Sequence, residues 1–141
     1  MYRVCPIMVV VWQVNATAVF KDWFDQGLNH AQRQAVRVVV DLLAERGPGL
    51  GRPYADRVHG SRYHNMKELR PRGSAARNIR ILFVFDPERQ ALLLLGGDKT
   101  GKWSVWYRRA IPEAEQLYEE YLDDLDTGRV DDAAWGKEKR P

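Results

Sequence analysis

A chain of 141 residues with 45% apolar and 29% charged residues is long enough for one domain with a real core, which excludes global disorder. The formal charge of +3 is unevenly spread: residues 1–112 hold 18 Lys and Arg against 9 Asp and Glu, and residues 113–141 hold 4 against 10. A basic body with an acidic end points to an anionic partner, nucleic acid first, while the single cysteine, Cys5, excludes a disulfide framework and a Cys-based zinc site.

No apolar run approaches the roughly 18 residues of a membrane span. Arg3, the apolar stretch Val4 to Trp12 and Ala16-Thr17-Ala18 imitate a short secretory signal. Pro6 breaks that stretch, so Met8 to Val14 reads as a β-strand and the chain as cytoplasmic. Thr17 then caps a helix whose apolar positions Val19, Phe20, Trp23, Phe24 and Leu28 fall at helical spacing, with Gly27 near its end. Asn29 caps a second helix, with Ala31, Ala35, Val38, Val39, Leu42 and Leu43 as its inner stripe, ended by Gly47-Pro48-Gly49.

Gly51 to Asp56 is a loop, Val58 to Arg70 a strand of mixed polarity, and Pro71 to Arg77 a basic turn. Ile79 to Phe85 alternates cleanly, with Arg80, Leu82 and Val84 on the face opposite Ile79, Ile81 and Phe83. Asp86 to Arg89 turns the chain into Ala91 to Leu95, an apolar run with the pattern of a central strand. A loop over 96–102 and an aromatic strand from Trp103 to Tyr107 follow. Pro112 suits the first position of a final helix, faced by Ala114, Leu117, Tyr118, Tyr121, Leu122 and Leu125. These elements predict an α+β domain, a small antiparallel or mixed sheet with its helices packed on one side, over residues 1–126. Residues 127–141 read as a polar, flexible tail.

Gly96 to Lys102 nearly matches a phosphate-binding loop, but Trp103 stands where a magnesium-binding hydroxyl belongs and no helix is expected after it. The basic segment is more informative. Between Arg52 and Arg109 there are 13 Lys and Arg against 5 Asp and Glu, interleaved with Tyr54, His59, Tyr63, His64, Trp103, Trp106 and Tyr107. Cations neutralise phosphates and rings stack on unpaired bases, a combination suited to single-stranded RNA. Arg62, His64, Arg77, Lys102 and Trp103 are the candidate RNA contacts. Arg80 stands inside an apolar strand, where its charge needs a partner or an anion, and Arg70 and Lys67 can approach it across a hairpin. Lys67 and Arg70 have opposite parity along their strand, so they face different sides. His59 and His64 match no zinc spacing, and no metal or cofactor is called for.

Gly60-Ser61-Arg62, Met66-Lys67-Glu68-Leu69-Arg70, Ile79-Arg80-Ile81-Leu82-Phe83, Gly96-Gly97-Asp98-Lys99-Thr100-Gly101 and Ile111-Pro112-Glu113-Ala114-Glu115 resemble the RelE/HigB superfamily, in its phage-derived branch of RelE- and ParE-like toxins. The resemblance covers residues 10–125 and leaves Met1 to Pro6 and the tail after Asp126 without an equivalent. It implies a RelE-like fold with two N-terminal helices and a C-terminal one, acting as the toxin of a type II toxin–antitoxin pair. RelE-like members cleave mRNA in the ribosomal A site, whereas ParE-like members inhibit DNA gyrase without cleaving RNA. The implied partners are a helix-turn-helix antitoxin, mRNA and the ribosome. By position, Arg80 matches the arginine that contacts the scissile phosphate and Arg70 the arginine closing the second strand. Lys99 and Lys102 match the basic residues after the fourth strand, and Tyr107 the late aromatic. With Lys67, these make Arg80, Arg70, Lys67, Lys99 and Tyr107 the expected catalytic set of a metal-independent endoribonuclease. A gyrase inhibitor or a partner-binding protein without nuclease activity is the alternative.

Overall fold

The computed structural model describes residues 12–101 and 103–128. Strand β1 (Val14–Ala16) leads into helices α1 (Ala18–Gly27) and α2 (His30–Arg46). Strands β2 (Ala55–Arg57), β3 (Lys67–Leu69), β4 (Ile79–Phe85) and β5 (Ala91–Asp98) follow, and helix α3 (Trp103–Thr127) closes the fold. The five strands form one sheet in the order β1-β5-β4-β3-β2, antiparallel throughout except for the parallel pair β1 and β5. This is the expected α+β class with a mixed sheet.

The helix starts follow from side-chain chemistry. Thr17 Oγ1 accepts from the Phe20 N–H at 3.0 Å, and Asn29 and Gln32 exchange reciprocal bonds in a capping box. Gly47, at φ +58°, ends α2.

Four expectations need correction. The first concerns the segment from Trp103 to Tyr107, which is the start of α3 rather than a strand, so Pro112 lies inside the helix and not at its first position. The second concerns Gly51 to Arg70: the expected loop Gly51 to Asp56 already enters β2, and of the expected strand Val58 to Arg70 only β3 pairs, with a loop between the two. That loop is held to α3: Ser61 Oγ and the Arg62 N–H donate to Glu115 at 2.9 and 2.8 Å, and the Tyr63 hydroxyl donates to Glu119 at 2.6 Å. The third concerns Trp12 to Val14, the described part of the expected first strand, which pairs only from Val14 onwards; residues 8–11 lie outside the described residues. The tail beyond residue 128 lies outside them as well.

The fourth concerns the helices, which cover both faces of the sheet. Phe20 and Phe24 of α1 and Val36, Val39, Val40 and Leu43 of α2 pack on Ile79, Ile81, Phe83 and Leu93. Ala110, Ile111, Ala114 and Tyr118 of α3 pack on Leu82, Val84, Leu92 and Leu94. Strands β4 and β5 are apolar on both sides, and a sheet of that kind stays exposed on one face unless each is covered. The far half of α3 is fixed by a buried polar chain. The Asn15 amide donates to the Tyr121 hydroxyl at 2.9 Å, and Tyr121 donates to Asp86 at 2.8 Å. Among the described residues, no helix is long and apolar enough to cross a membrane.

Candidate active site

Four chain segments meet at one end of the α3-covered face: the end of β3, the start of β4, the turn after β5 and the first turns of α3. Their positions are set by register. Leu69 pairs with Ile81, so the next pair outward sets Arg70 beside Arg80, and Arg80 in turn pairs with Gly97. Gly96 and Gly97 are strand residues, not a phosphate loop. A Cβ at Gly96 would run into the Trp23 ring on one face, and a Cβ at Gly97 into the Trp106 indole on the other. The glycines let α1 and α3 approach the sheet from both sides.

Glu68 is the centre of the site. Its carboxylate is buried at 3% exposure, accepts from the Tyr107 hydroxyl at 2.6 Å and from Arg70 Nε at 2.7 Å, and lies 3.7 Å from Arg80 Nε. Arg70 also reaches Asp56 at 3.2 Å. The Arg80 guanidinium, 8% exposed, donates through Nη1 to the backbone oxygens of Ile79 and Arg77, at 2.8 and 3.1 Å. Lys99 is fully buried, with Nζ 5.7 Å from the centre of the Tyr107 ring, and its own N–H is tied to the Asn78 oxygen at 2.9 Å. One carboxylate thus gathers two guanidinium groups and a phenol, with an ammonium beside them.

The electrostatics follow from that crowding. Burial, reinforced by the Arg80 charge, pushes the Lys99 ammonium down to about 8. Burial also lowers Arg80, partly offset by Glu68. Tyr107 is raised, by burial first and then by its hydrogen bond to Glu68, so it stays a phenol that donates. Beside the cluster opens a cleft of about 340 Å³ lined by Arg70, Arg72, Arg77 and Arg80 together with Pro53, Pro71, Gly73 and Ser74. Four guanidinium-bearing residues around one opening suit an anion with several oxygens, since the planar fork matches phosphate geometry. Among the described residues, no group of three or more His, Cys, Asp or Glu could hold a metal ion.

The sequence-expected residues separate clearly. Arg70, Arg80, Lys99 and Tyr107 come together. Lys67 faces the other side of the sheet, its ammonium 6.0 Å from the centre of the Phe85 ring, as the parity along β3 requires. Arg77 lines the arginine cleft. Arg62 is engaged by Glu115 and Glu119, and His64 stands exposed on the same loop. Lys102 lies outside the described residues, and of Trp103 only the backbone is described. Sequence reasoning missed Glu68 and Arg72. For Glu68 a signal existed, because it shares strand parity with Arg70 and therefore its face.

Residues 22–119 match the family described as phage derived protein Gp49-like (DUF891). The chain belongs to this family. It is 54% identical over 100 residues to "Putative toxin HigB3" of Mycobacterium tuberculosis, covering 71% of this chain and 84% of that protein. It is also 45% identical over 96 residues to "Putative toxin HigB2" of the same organism, covering 68% of this chain and 48% of that protein. These relatives place the Gp49-like chain on the RelE/HigB-like toxin branch.

Proposed function

We propose that this Gp49-like chain is the toxin of a type II toxin–antitoxin pair, neutralised by a cognate helix-turn-helix antitoxin, and that it acts by cleaving mRNA on the ribosome. The observation that carries this reading is the convergence of Arg70, Arg80 and Tyr107 on Glu68, next to a cleft ringed by arginines. Cleavage by the RNA 2′-hydroxyl needs a proton acceptor, stabilisation of charge on the phosphorane and a proton for the departing oxygen. The 2′-oxygen bonds to phosphorus, the bond to the 5′-oxygen breaks, and the products are a 2′,3′-cyclic phosphate and a 5′-hydroxyl.

Arg80 and Arg70 meet the phosphate oxygens. Lys99, its ammonium pushed down to about 8, takes the 2′-hydroxyl proton in its neutral form, and water supplies the proton that the departing 5′-oxygen takes up. Tyr107 keeps its proton on Glu68 and offers its ring as a stacking surface. Glu68 offsets the mutual repulsion of the cations and fixes their geometry before RNA arrives. The test is a purified translation system. Cleavage of the message at ribosome-covered codons is the expected result; inhibition of gyrase supercoiling with intact mRNA would replace this reading by the ParE-like one.

A further inference from the structure

A second opening lies away from the site, between the outer face of α2 and the chain entering β2. It is a groove of about 180 Å³ lined by Gln34, Ala35, Val38, Val39 and Leu42 of α2, by Tyr54 and by Arg72. Val38, expected on the inner stripe of α2, is instead 60% exposed, more than Val19 or Val105. A lone exposed valine is ordinary, but here it borders a groove whose α2 side carries Ala35, Val38, Val39 and Leu42 at helical spacing.

Two features select the occupant. The first is the edge of β2. On its inner side, Tyr54 O just before it accepts from the Arg70 N–H and the Val58 N–H just after it donates to Met66 O, so its inward groups face β3. Of its outward donors, the Ala55 N–H is taken by Gly51 O at 3.1 Å and the Arg57 N–H by the Asp56 side chain at 2.8 Å. A partner strand adding to this edge would find both donors engaged, so the groove suits a helix laying apolar side chains into it. The second is charge. Among the described residues no carboxylate lines either the groove or the arginine cleft, and Arg72 borders both. An acidic residue on the incoming helix meets Arg72 and withdraws it from the cleft.

We infer that the groove docks an amphipathic helix of the antitoxin, with branched apolar side chains against Val38, Leu42 and Tyr54 and a carboxylate on Arg72. The antitoxin and the RNA phosphate then compete for Arg72. This rests on the toxin reading above, but its test does not depend on cleavage.

The probe is the purified product of the reading frame beside this gene, titrated against the full chain by calorimetry. Val38→Asp, at an exposed position, is expected to keep the melting temperature and to weaken binding roughly 30-fold or more, the scale of losing an interface anchor. Val19→Asp, on α1, is expected to bind as the unaltered chain does. Arg72→Ala is expected to weaken both antitoxin and a short RNA oligonucleotide. Unchanged affinity of Val38→Asp overturns the inference, as does the absence of any binding by the neighbouring product. A change in this chain's own oligomeric state on Val38→Asp also overturns it, because the occupant is then a second copy. Growth arrest by the unaltered chain expressed alone reports separately on the toxin reading: its absence sinks that reading, while the titration still decides the groove.

Discussion

Replacing Arg80 by alanine separates a catalytic arginine from a merely structural one, because the two roles predict losses in different quantities. The guanidinium makes two hydrogen bonds to backbone oxygens and an ionic contact at 3.7 Å to Glu68. Its removal does not strand Glu68, which keeps Arg70 at 2.7 Å and Tyr107 at 2.6 Å. The cost in stability is therefore about 1–3 kcal/mol, below that of leaving a buried charge alone. At roughly 3 °C per kcal/mol for a domain of this size, the melting temperature falls by about 3–9 °C. A domain with ordinary stability of about 5–15 kcal/mol stays folded at 25 °C after that loss.

Cleavage should nevertheless fall ~10²–10³-fold, the scale for removing one preorganised donor aimed at developing charge. Arg80→Lys should recover less than about tenfold of this, since a point charge does not reproduce the fork. The assay is ribosome-dependent cleavage at 25 °C on protein whose melting curve has been recorded from the same preparation. A folded Arg80→Ala chain that cleaves at the full rate refutes the reasoning.

Lys99 carries a pH signature. Its folded value, about 8, lies below the ordinary 10.5, so the unfolded chain binds more protons between the two. Stability should accordingly rise with pH through that window, and melts of Lys99→Met compared with the unaltered chain should lose this rise; parallel pH curves would contradict the buried ammonium. Cleavage rate should bend near pH 8 and the bend should vanish in Lys99→Met. Lys67→Met, on the opposite face of the sheet, should leave cleavage within about twofold, as surface substitutions usually do; a large loss would place the ammonium in the site after all. Gly97→Ala should lower stability by about 1–3 kcal/mol through overpacking against Trp106, read as a lower denaturation midpoint with an unchanged slope.

Much of the fold was legible where physics is local. The caps Thr17 and Asn29, the alternation of Ile79 to Phe85 and the turn at Asp86 each act within a few residues, so spacing reveals them. The start of α3 was not legible, because Trp103, Val105, Trp106 and Tyr107 are strand-forming side chains by type. Their helical state comes from packing of α3 across the sheet, where Trp106 fills the space over Gly97. Pro112 misled for a related reason: this helix tolerates it internally, as the tenth residue from its start at Trp103. The break between β2 and β3 also depends on distant partners, Glu115 and Glu119. Of the site, the arginines could be read because a cation in an apolar strand is anomalous on its own. Glu68 was legible only in part: parity places it on the face of Arg70, but its role as the shared partner of Arg70, Arg80 and Tyr107 arises where they meet in three dimensions. Arg72 was hidden in the same way, since a loop arginine acquires meaning only from the two openings it borders.

The central claim is that the Glu68-centred cluster directs a 2′-hydroxyl against its neighbouring phosphate. The most direct measurement is the chemistry of the ends left on mRNA cleaved by the purified chain on translating ribosomes. The expected ends are a 2′,3′-cyclic phosphate, or the phosphate from its hydrolysis, on the upstream fragment and a 5′-hydroxyl on the downstream one. A 3′-hydroxyl paired with a 5′-phosphate, or intact message in cells arrested by this protein, would contradict it.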